Sequence, residues 1–163
     1  MPPRAAVDDI DAQLDELVEV ALPAVRAIVG VAMRSLAASP VPITVAQYRM
    51  LATMAQAGPA RAATLAELLD VDASTITRMA DRLVRDGLVV RDTERGDRRA
   101  VRLALSAAGT GVVEAVAHRR REEFAALLRA IPVSHRAGAV AALKEIELAN
   151  RTLAPTPAPG WIA

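Results

Sequence analysis

The segment from residue 73 to Gly87 most constrains the fold, because its side chains divide into an apolar and a polar face at helical spacing. The apolar face consists of Ile76, Met79, Leu83 and Val84. The other face carries hydroxyl and charged groups: Ser74, Thr75, Thr77, Arg78, Asp81, Arg82 and Arg85. Gly87 suits the left-handed residue that often follows a helix. We therefore predict an amphipathic helix over about residues 73–86.

A β-hairpin is predicted directly after that helix. Residues 88–91 favour a strand, and residues 99–105 alternate, with Val101, Leu103 and Leu105 on one face. The polar, glycine-containing segment 92–98 between them predicts the hairpin loop.

Two segments before the amphipathic helix begin with a possible helix cap. Thr44 with Gln47, and Thr64 with Glu67, each match a capping box. They predict one helix to about Gln56, ended by the Gly-Pro pair at 58–59, and a short helix ending near residue 69. Together with a tight turn and the hairpin, these elements form a winged helix-turn-helix.

Longer helices with apolar stripes are predicted on both sides of this unit. Residues 8–38 form one, which Pro23 is expected to kink or divide. Ser106 can cap a helix over about 107–130, and Ser134 a last helix to about Thr152. A small winged lobe cannot cover these stripes, so a second copy of the chain is the simplest partner.

The expected fold is mainly α with a small β-hairpin wing: a winged helix-turn-helix with N- and C-terminal dimerisation helices. The expected divisions are an N-terminal arm (1–42), a DNA-binding lobe (43–106), C-terminal dimerisation helices (107–153) and a Pro-rich tail (154–163).

Charge is unevenly distributed along the chain. The net charge is +1, but residues 1–20 carry one Arg against six acidic residues, and residues 73–102 carry eight Arg against five. A basic middle predicts an anionic partner, although a GC-rich genome would equally enrich Arg and Ala.

Other residue types exclude several functions. The chain has no Cys, so disulfide scaffolds, thiol nucleophiles and Cys-ligated zinc are excluded. There is no Ser/His/Asp arrangement, no Gly-rich phosphate loop and no metal cluster, so we expect no enzyme, no cofactor and no metal site. No membrane span is predicted, and we expect a cytoplasmic protein.

The predicted elements suit DNA chemically. A helix fits the major groove, where Arg can bind guanine with two hydrogen bonds. Hydroxyl groups near its N-terminus can contact phosphates or base edges. In the loop, Arg95, Arg98 and Arg99 can reach a flanking minor groove.

Residues 74–91 and 96–109 strongly resemble the MarR family of bacterial transcription regulators. The recognition-helix hydroxyls, the Asp-Arg-Leu and Gly-Leu-Val runs and the Asp-Arg-Arg loop occur together at family spacing. The resemblance extends over about residues 8–152.

The resemblance implies a homodimer whose two winged lobes read a pseudo-palindromic operator in double-stranded DNA. The family's base contacts carry over onto Ser74, Thr75, Thr77 and Arg78, and its backbone contacts onto Arg82 or Arg85. The family's wing pair carries over onto Asp97 and Arg99, with Arg98 between them, although this pair could also be a hairpin salt bridge without a DNA role.

The resemblance also implies a repressor that responds to a small-molecule inducer. By helix order, Arg26, Tyr48 and Arg49 could line the inducer cleft, but one Trp, one Tyr and one Phe are few for an aromatic-lined pocket. The alternatives are a winged-helix module that binds protein, and a metal-responsive member of the same fold.

Three further interpretations concern charged residues. Asp81 is expected to orient Arg85 or Arg78 by pairing within the helix. Residues 119–123 form either a solvated helix face or a cluster facing the dimer or a ligand. His118 is interpreted as a surface or core histidine rather than a metal ligand.

Overall fold

In a computed structural model, residues 4–93 and 101–153 are described. They form six helices and one two-stranded antiparallel sheet: α1 (Arg4–Ala37), α2 (Val45–Ala57), α3 (Ala62–Leu69), α4 (Ala73–Arg85), β1 (Val89–Thr93), β2 (Val101–Leu105), α5 (Ala107–Arg129) and α6 (Arg136–Leu153). The predicted fold class, mainly helical with a small hairpin, is confirmed.

One apolar core holds the middle of the chain together. It is built from side chains of α2, α3, α4, both strands and the start of α5, including Met50, Leu51, Leu65, Ile76, Leu83, Val89, Leu103 and Val112. The apolar face predicted for α4 is the face that enters this core, because Ile76 and Leu83 are completely buried. The polar face of α4 is thereby left on the surface.

The two predicted capping boxes have different outcomes. Thr44 caps α2 as predicted: its Oγ1 accepts from the Gln47 N–H at 3.2 Å, and the Gln47 side chain accepts from the Thr44 N–H at 2.9 Å. The prediction for Thr64 is wrong, because α3 begins at Ala62 and Thr64 lies inside it. Ala60 exchanges two backbone hydrogen bonds with Leu103, and the chain passes from this bridge straight into the helix.

The end of α4 is set by Gly87, as predicted. Gly87 has φ +71 and donates its N–H to the Val84 carbonyl, while the Leu88 N–H donates to the Leu83 carbonyl at 2.9 Å. This pair of hydrogen bonds is a Schellman motif. It turns the chain immediately into the hairpin.

The hairpin strands are shifted slightly from their predicted bounds. β1 runs from Val89 to Thr93 instead of 88–91, because five residue pairs match across the sheet, from Val89 opposite Leu105 to Thr93 opposite Val101. β2 begins at Val101 in the described residues, and the predicted loop residues 94–98 lie outside them, as do residues 99 and 100.

The long helices also differ from expectation in two places. Pro23 does not divide α1, which is one helix of 34 residues. Ser106 caps α5 as predicted, by accepting from the Gly109 N–H at 3.0 Å. Ser134 does not cap the last helix, because it lies in a 3-10 turn, Val133–His135, that precedes α6.

The terminal helices are packed far less than the middle of the chain. α1 lies against α5, yet among residues 12–37 only Val31 and Ser35 are buried. α6 has no buried residue at all. No helix in the described residues is long and apolar enough to span a membrane.

Candidate nucleic-acid interface

The exposed face of α4 carries the hydroxyl and guanidinium groups that the sequence predicted for it. Ser74, Thr77 and three arginines are exposed, while Thr75 is half-buried. Ile76, Ala80 and Leu83 fix the orientation of the helix by packing on its other side. The structure therefore places Arg78, Arg82 and Arg85 on one accessible surface.

Hydrogen bonds to the helix backbone hold several of these side chains. The Thr77 hydroxyl donates to the Ala73 carbonyl at 2.9 Å. The Arg78 Nε donates to the Ser74 carbonyl at 3.3 Å, and the Arg85 Nε to the Asp81 carbonyl at 3.4 Å. Since a guanidinium has five N–H donors, each of these arginines has further donors at Nη1 and Nη2 with which to bind an anion or a base edge.

The prediction for Asp81 is wrong about its partner. Its carboxylate accepts from Nη2 of Arg91, on β1, and not from an arginine of its own helix. Arg78 and Arg85 use neighbouring carbonyls instead. Arg91 was absent from the predicted site, although strand alternation places it on the same side of β1 as the buried Val89, and a charge on that side is a signal of contact with α4.

The N-terminal edge of α4 differs in charge from the rest of the face. A cavity of about 560 Å³ opens at the turn between α3 and α4, and Glu67, Asp70 and Asp72 are among the residues that line it. These carboxylates oppose a phosphate at this edge. The surface that favours DNA electrostatically therefore begins at Arg78 and extends toward the hairpin.

The predicted wing contacts fall on residues that the structure does not describe. Arg95, Asp97, Arg98 and Arg99 all lie between residues 94 and 100. β1, the strand that follows α4 in the chain, ends at Thr93, immediately before this segment.

The residues predicted for an inducer cleft are held by different neighbours. Tyr48 is only 3% exposed, packs with Ala52 and Val116, and has the Arg120 guanidinium 5.5 Å from its ring centroid. Arg49 donates from Nη2 to the Leu69 carbonyl at 3.4 Å, at the end of α3. Arg26 is exposed on α1.

The charged run at 119–123 joins helices instead of forming a uniformly solvated face. Arg120 is 5% exposed and lies over Tyr48 of α2. Glu123 accepts from Arg34 of α1 at 2.9 Å and from Arg119 at 3.1 Å. This run therefore ties α5 to both α1 and the middle of the chain.

His118 is exposed, and its Nδ1 lies 3.7 Å from a carboxylate oxygen of Glu122. Among the residues described, no three His, Asp or Glu side chains are grouped so that they could hold a metal ion.

A profile of the MarR family matches residues 43–101, the region from the start of α2 to the hairpin. The multiple antibiotic resistance protein MarR of Escherichia coli K12 is 37% identical over 76 residues, which are 47% of this chain and 53% of that protein. The aligned region thus spans about half the length of that relative.

Solved structures are similar over most of the chain. RV1404 from Mycobacterium tuberculosis is 36% identical, with a TM-score of 0.77 and coverage of 83% of this chain and 92% of the other. Wild-type MarR from E. coli, in its apo form, is 23% identical, with a TM-score of 0.58 and coverage of 90% and 98%. A MarR family protein from Bacillus stearothermophilus is also 23% identical, with a TM-score of 0.66 and coverage of 86% and 95%.

Proposed function

The chain belongs to the MarR family, and from that premise we propose that it is a homodimeric transcription regulator that binds double-stranded DNA. The lobe formed by residues 43–106 reads the DNA through α4 and the wing. Residues 1–42 and 107–153 join two chains. The regulator would act in the cytoplasm, where bacterial DNA lies.

The observation that carries this proposal is the division of α4 into two faces. One face is completely buried at Ile76 and Leu83, and the other presents Arg78, Arg82 and Arg85 to solvent. A helix held in this way can enter the major groove without unpacking the core. Ser74, Thr75, Thr77 and Arg78 are the proposed base contacts, with Arg82 and Arg85 on phosphates.

The wing supplies the second half of the proposed DNA contact. Arg95, Arg98 and Arg99 would enter a flanking minor groove, with Asp97 paired to Arg99. Each cation that neutralises a phosphate releases counterions, so the affinity should fall steeply as salt rises.

Homodimer formation is supported by the apolar surface of the terminal helices. Leu17 and Val20 of α1, and Ile146 and Leu148 of α6, are each more than half exposed in the single chain. Exposed apolar surface on this scale marks an interaction site. A two-fold pairing of these helices would place two recognition helices one DNA turn apart, about 34–36 Å.

We further propose that the regulator is a repressor released by a small molecule, which acts by changing the spacing of the two lobes. Arg26, Tyr48 and Arg49 remain the proposed ligand residues. Because Arg120 covers the Tyr48 ring, a ligand that reaches this ring has to displace the guanidinium. Such a ligand would act on the contact that joins α5 to the DNA-binding lobe.

Selection of DNA from a random duplex pool by the purified chain tests the proposed function. At about 0.15 M salt, the expected result is an enriched inverted repeat with half-sites one turn apart. Absence of enrichment, with no binding even at low salt, would contradict DNA recognition and favour a protein-binding module.

Matched variants test the contact assignment on the selected duplex. Arg78→Ala and Thr77→Ala should each weaken the free energy of binding to the duplex by about 1–3 kcal/mol and relax specificity at particular bases. Arg121→Ala, which removes an exposed arginine from α5, should change the affinity little. If Arg78→Ala and Thr77→Ala both bind the duplex as tightly as the parent and the Arg121→Ala control do, the assigned contacts are overturned.

A further inference from the structure

An ion pair joins the recognition helix to the hairpin. We propose that Asp81 is a positioning residue, which holds the wing at a fixed angle to α4 through Arg91 and thereby supports specific DNA binding more than non-specific binding. This inference rests on the proposed function, because it assigns a role within the proposed DNA-reading surface.

The position of Asp81 requires a reason other than direct DNA contact. It lies on the exposed side of α4 among three arginines, and its side chain is 49% exposed. A carboxylate on a surface that meets phosphates weakens binding by like-charge repulsion. The Arg91 guanidinium offsets that charge and, in doing so, ties it to β1.

Arg91 lies at the seam between α4 and the hairpin. It lines a cavity of about 260 Å³ together with Thr77 and Ala80 of α4 and Val101 and Leu103 of β2. A side chain in this seam can transmit the position of the strand to the recognition helix.

Hydrogen bonds fix the hairpin at its base and also on β2, where Leu103 exchanges two backbone hydrogen bonds with Ala60. The ion pair ties the other strand, β1, to α4 at Arg91, the residue opposite Leu103. At the base, the Leu88 N–H donates to the Leu83 carbonyl at 2.9 Å, and the Ser106 hydroxyl donates to the Gly87 carbonyl at 2.6 Å. Arg91 comes three residues after Leu88, toward the wing tip. Without the ion pair, β1 loses its side-chain link to α4 at this level, so residues 90–92 are freer to move relative to α4.

Asp81→Asn separates positioning from simple electrostatics, because the two accounts predict opposite signs. If Asp81 acts only as a surface charge, its removal tightens binding to every duplex. If it positions the wing, Asp81→Asn weakens binding to the selected operator, while affinity for a random duplex stays equal or increases. Each of the two wings of the proposed dimer would lose one half-exposed ion pair. The Kd for the operator should therefore rise about 2- to 25-fold.

Two further variants complete the test. Asp86→Asn removes the same charge at the exposed end of α4 and should bind the operator as tightly as the parent, or slightly more tightly. Asp81→Arg combined with Arg91→Asp reverses the pair. Compared with Arg91→Asp alone, which places two carboxylates at the seam, this double variant should show a larger gain in affinity for the operator than for a random duplex.

Operator binding by Asp81→Asn at or below the parent's Kd, or no gain in preference for the operator over a random duplex from the reversed pair, would overturn the inference. Amide hydrogen exchange of β1 gives a readout that does not need DNA. Exchange at residues 90–92 should be about 2- to 5-fold faster in Asp81→Asn and unchanged in Asp86→Asn. Unchanged exchange in Asp81→Asn would overturn the inference, whereas failure of the parent to bind any DNA would contradict the proposed function.

Discussion

The middle of the chain and its terminal helices use similar apolar residues but bury them very differently. In the lobe from α2 to β2, Leu51, Leu65 and Leu83 have no exposed surface. In α6, by contrast, Leu143 is 49% exposed and Leu153 is 83% exposed. The lobe together with the start of α5 thus buries its apolar residues within the chain, whereas the described parts of the terminal helices leave most of theirs exposed.

The exposed apolar surface of α1 and α6 is extensive, as the proposed dimer interface requires. Among the described residues of α1 and α6, the large apolar side chains with high exposure are Leu14, Leu17, Val18, Val20, Leu22, Val25, Val29, Met33, Val140, Leu143, Ile146, Leu148 and Leu153. Burying one such side chain contributes about 1.5–3 kcal/mol. These side chains are already partly covered in the single chain, so burying half of them on each of two copies would contribute on the order of 10 kcal/mol or more. The loss of translational and rotational freedom on association offsets about 4–15 kcal/mol of such a gain.

The largest expected effect comes from placing a charge in this surface. Leu143→Glu should convert the proposed dimer to a monomer at micromolar concentration, because a two-fold interface would bury the carboxylate twice without a partner. Sedimentation velocity or light scattering measures the change. Leu68→Glu is the matched control, since Leu68 of α3 is also 49% exposed, and it should remain dimeric. Dimers in both variants would contradict the assigned interface.

Within the lobe, two leucines of α3 sharpen the contrast between buried and exposed positions. Leu65 is completely buried, so Leu65→Ala should lower the free energy of unfolding by about 2–5 kcal/mol. Leu68→Ala, three residues later, should change it by less than about 1 kcal/mol. Urea denaturation of both variants measures these changes. Similar losses in the free energy of unfolding would show that Leu65 does not pack in the core while Leu68 lies on the surface.

The junction between the lobe and α5 depends on a glycine. A Cβ at Gly109 would lie 2.0 Å from the Leu88 carbonyl oxygen, whereas a Cβ at Gly111 has nothing within 4 Å. Gly109→Ala should therefore destabilise the chain by about 1–3 kcal/mol. Gly111→Ala should stabilise α5 by about 0.5–1 kcal/mol. Thermal unfolding should show shifts of opposite sign in the melting temperature. A higher melting temperature for Gly109→Ala would exclude this close approach of Gly109 to the Leu88 carbonyl.

The smallest expected effect is at the contact between α1 and α5. Glu123→Gln removes the charge that binds Arg34 and Arg119, and the Glu123 side chain is only 14% exposed. The expected loss in the free energy of unfolding is about 1 kcal/mol, reduced by added salt. Glu147→Gln, which breaks an exposed pair within α6, should cost less than about 0.5 kcal/mol. Equal losses in Glu123→Gln and Glu147→Gln would mean that the ion pair between α1 and α5 stabilises the fold no more than an exposed pair within one helix.

Local patterns predicted much of the lobe, because its elements are set by short-range chemistry. The Thr44 capping box, the Gly87 helix end and the Ser106 cap each depend on residues within about five positions of one another. Thr64 fits the same local pattern, but Ala60 pairs with Leu103, far along the chain, and this bridge decides where α3 begins.

The side-chain contacts that connect elements were harder to predict. Asp81 has arginines at helical spacing on both sides, yet its partner is Arg91, ten residues away on a strand. Arg120 sits in a charged run typical of a solvated helix face, but it follows Val112 and Val116 at four-residue spacing and is buried with them. That spacing was the available signal, and the contact with Tyr48 needed the tertiary structure.

Hydroxyl-radical footprinting of the purified chain on its selected duplex tests the central claim most directly, because it reports DNA reading and pairing together. The lobe should read each half-site, and the terminal helices should fix the distance between two lobes. The expected result is two protected tracts related by two-fold symmetry, with centres about 10 base pairs apart. A single protected tract, or protection that does not depend on sequence, would contradict the account.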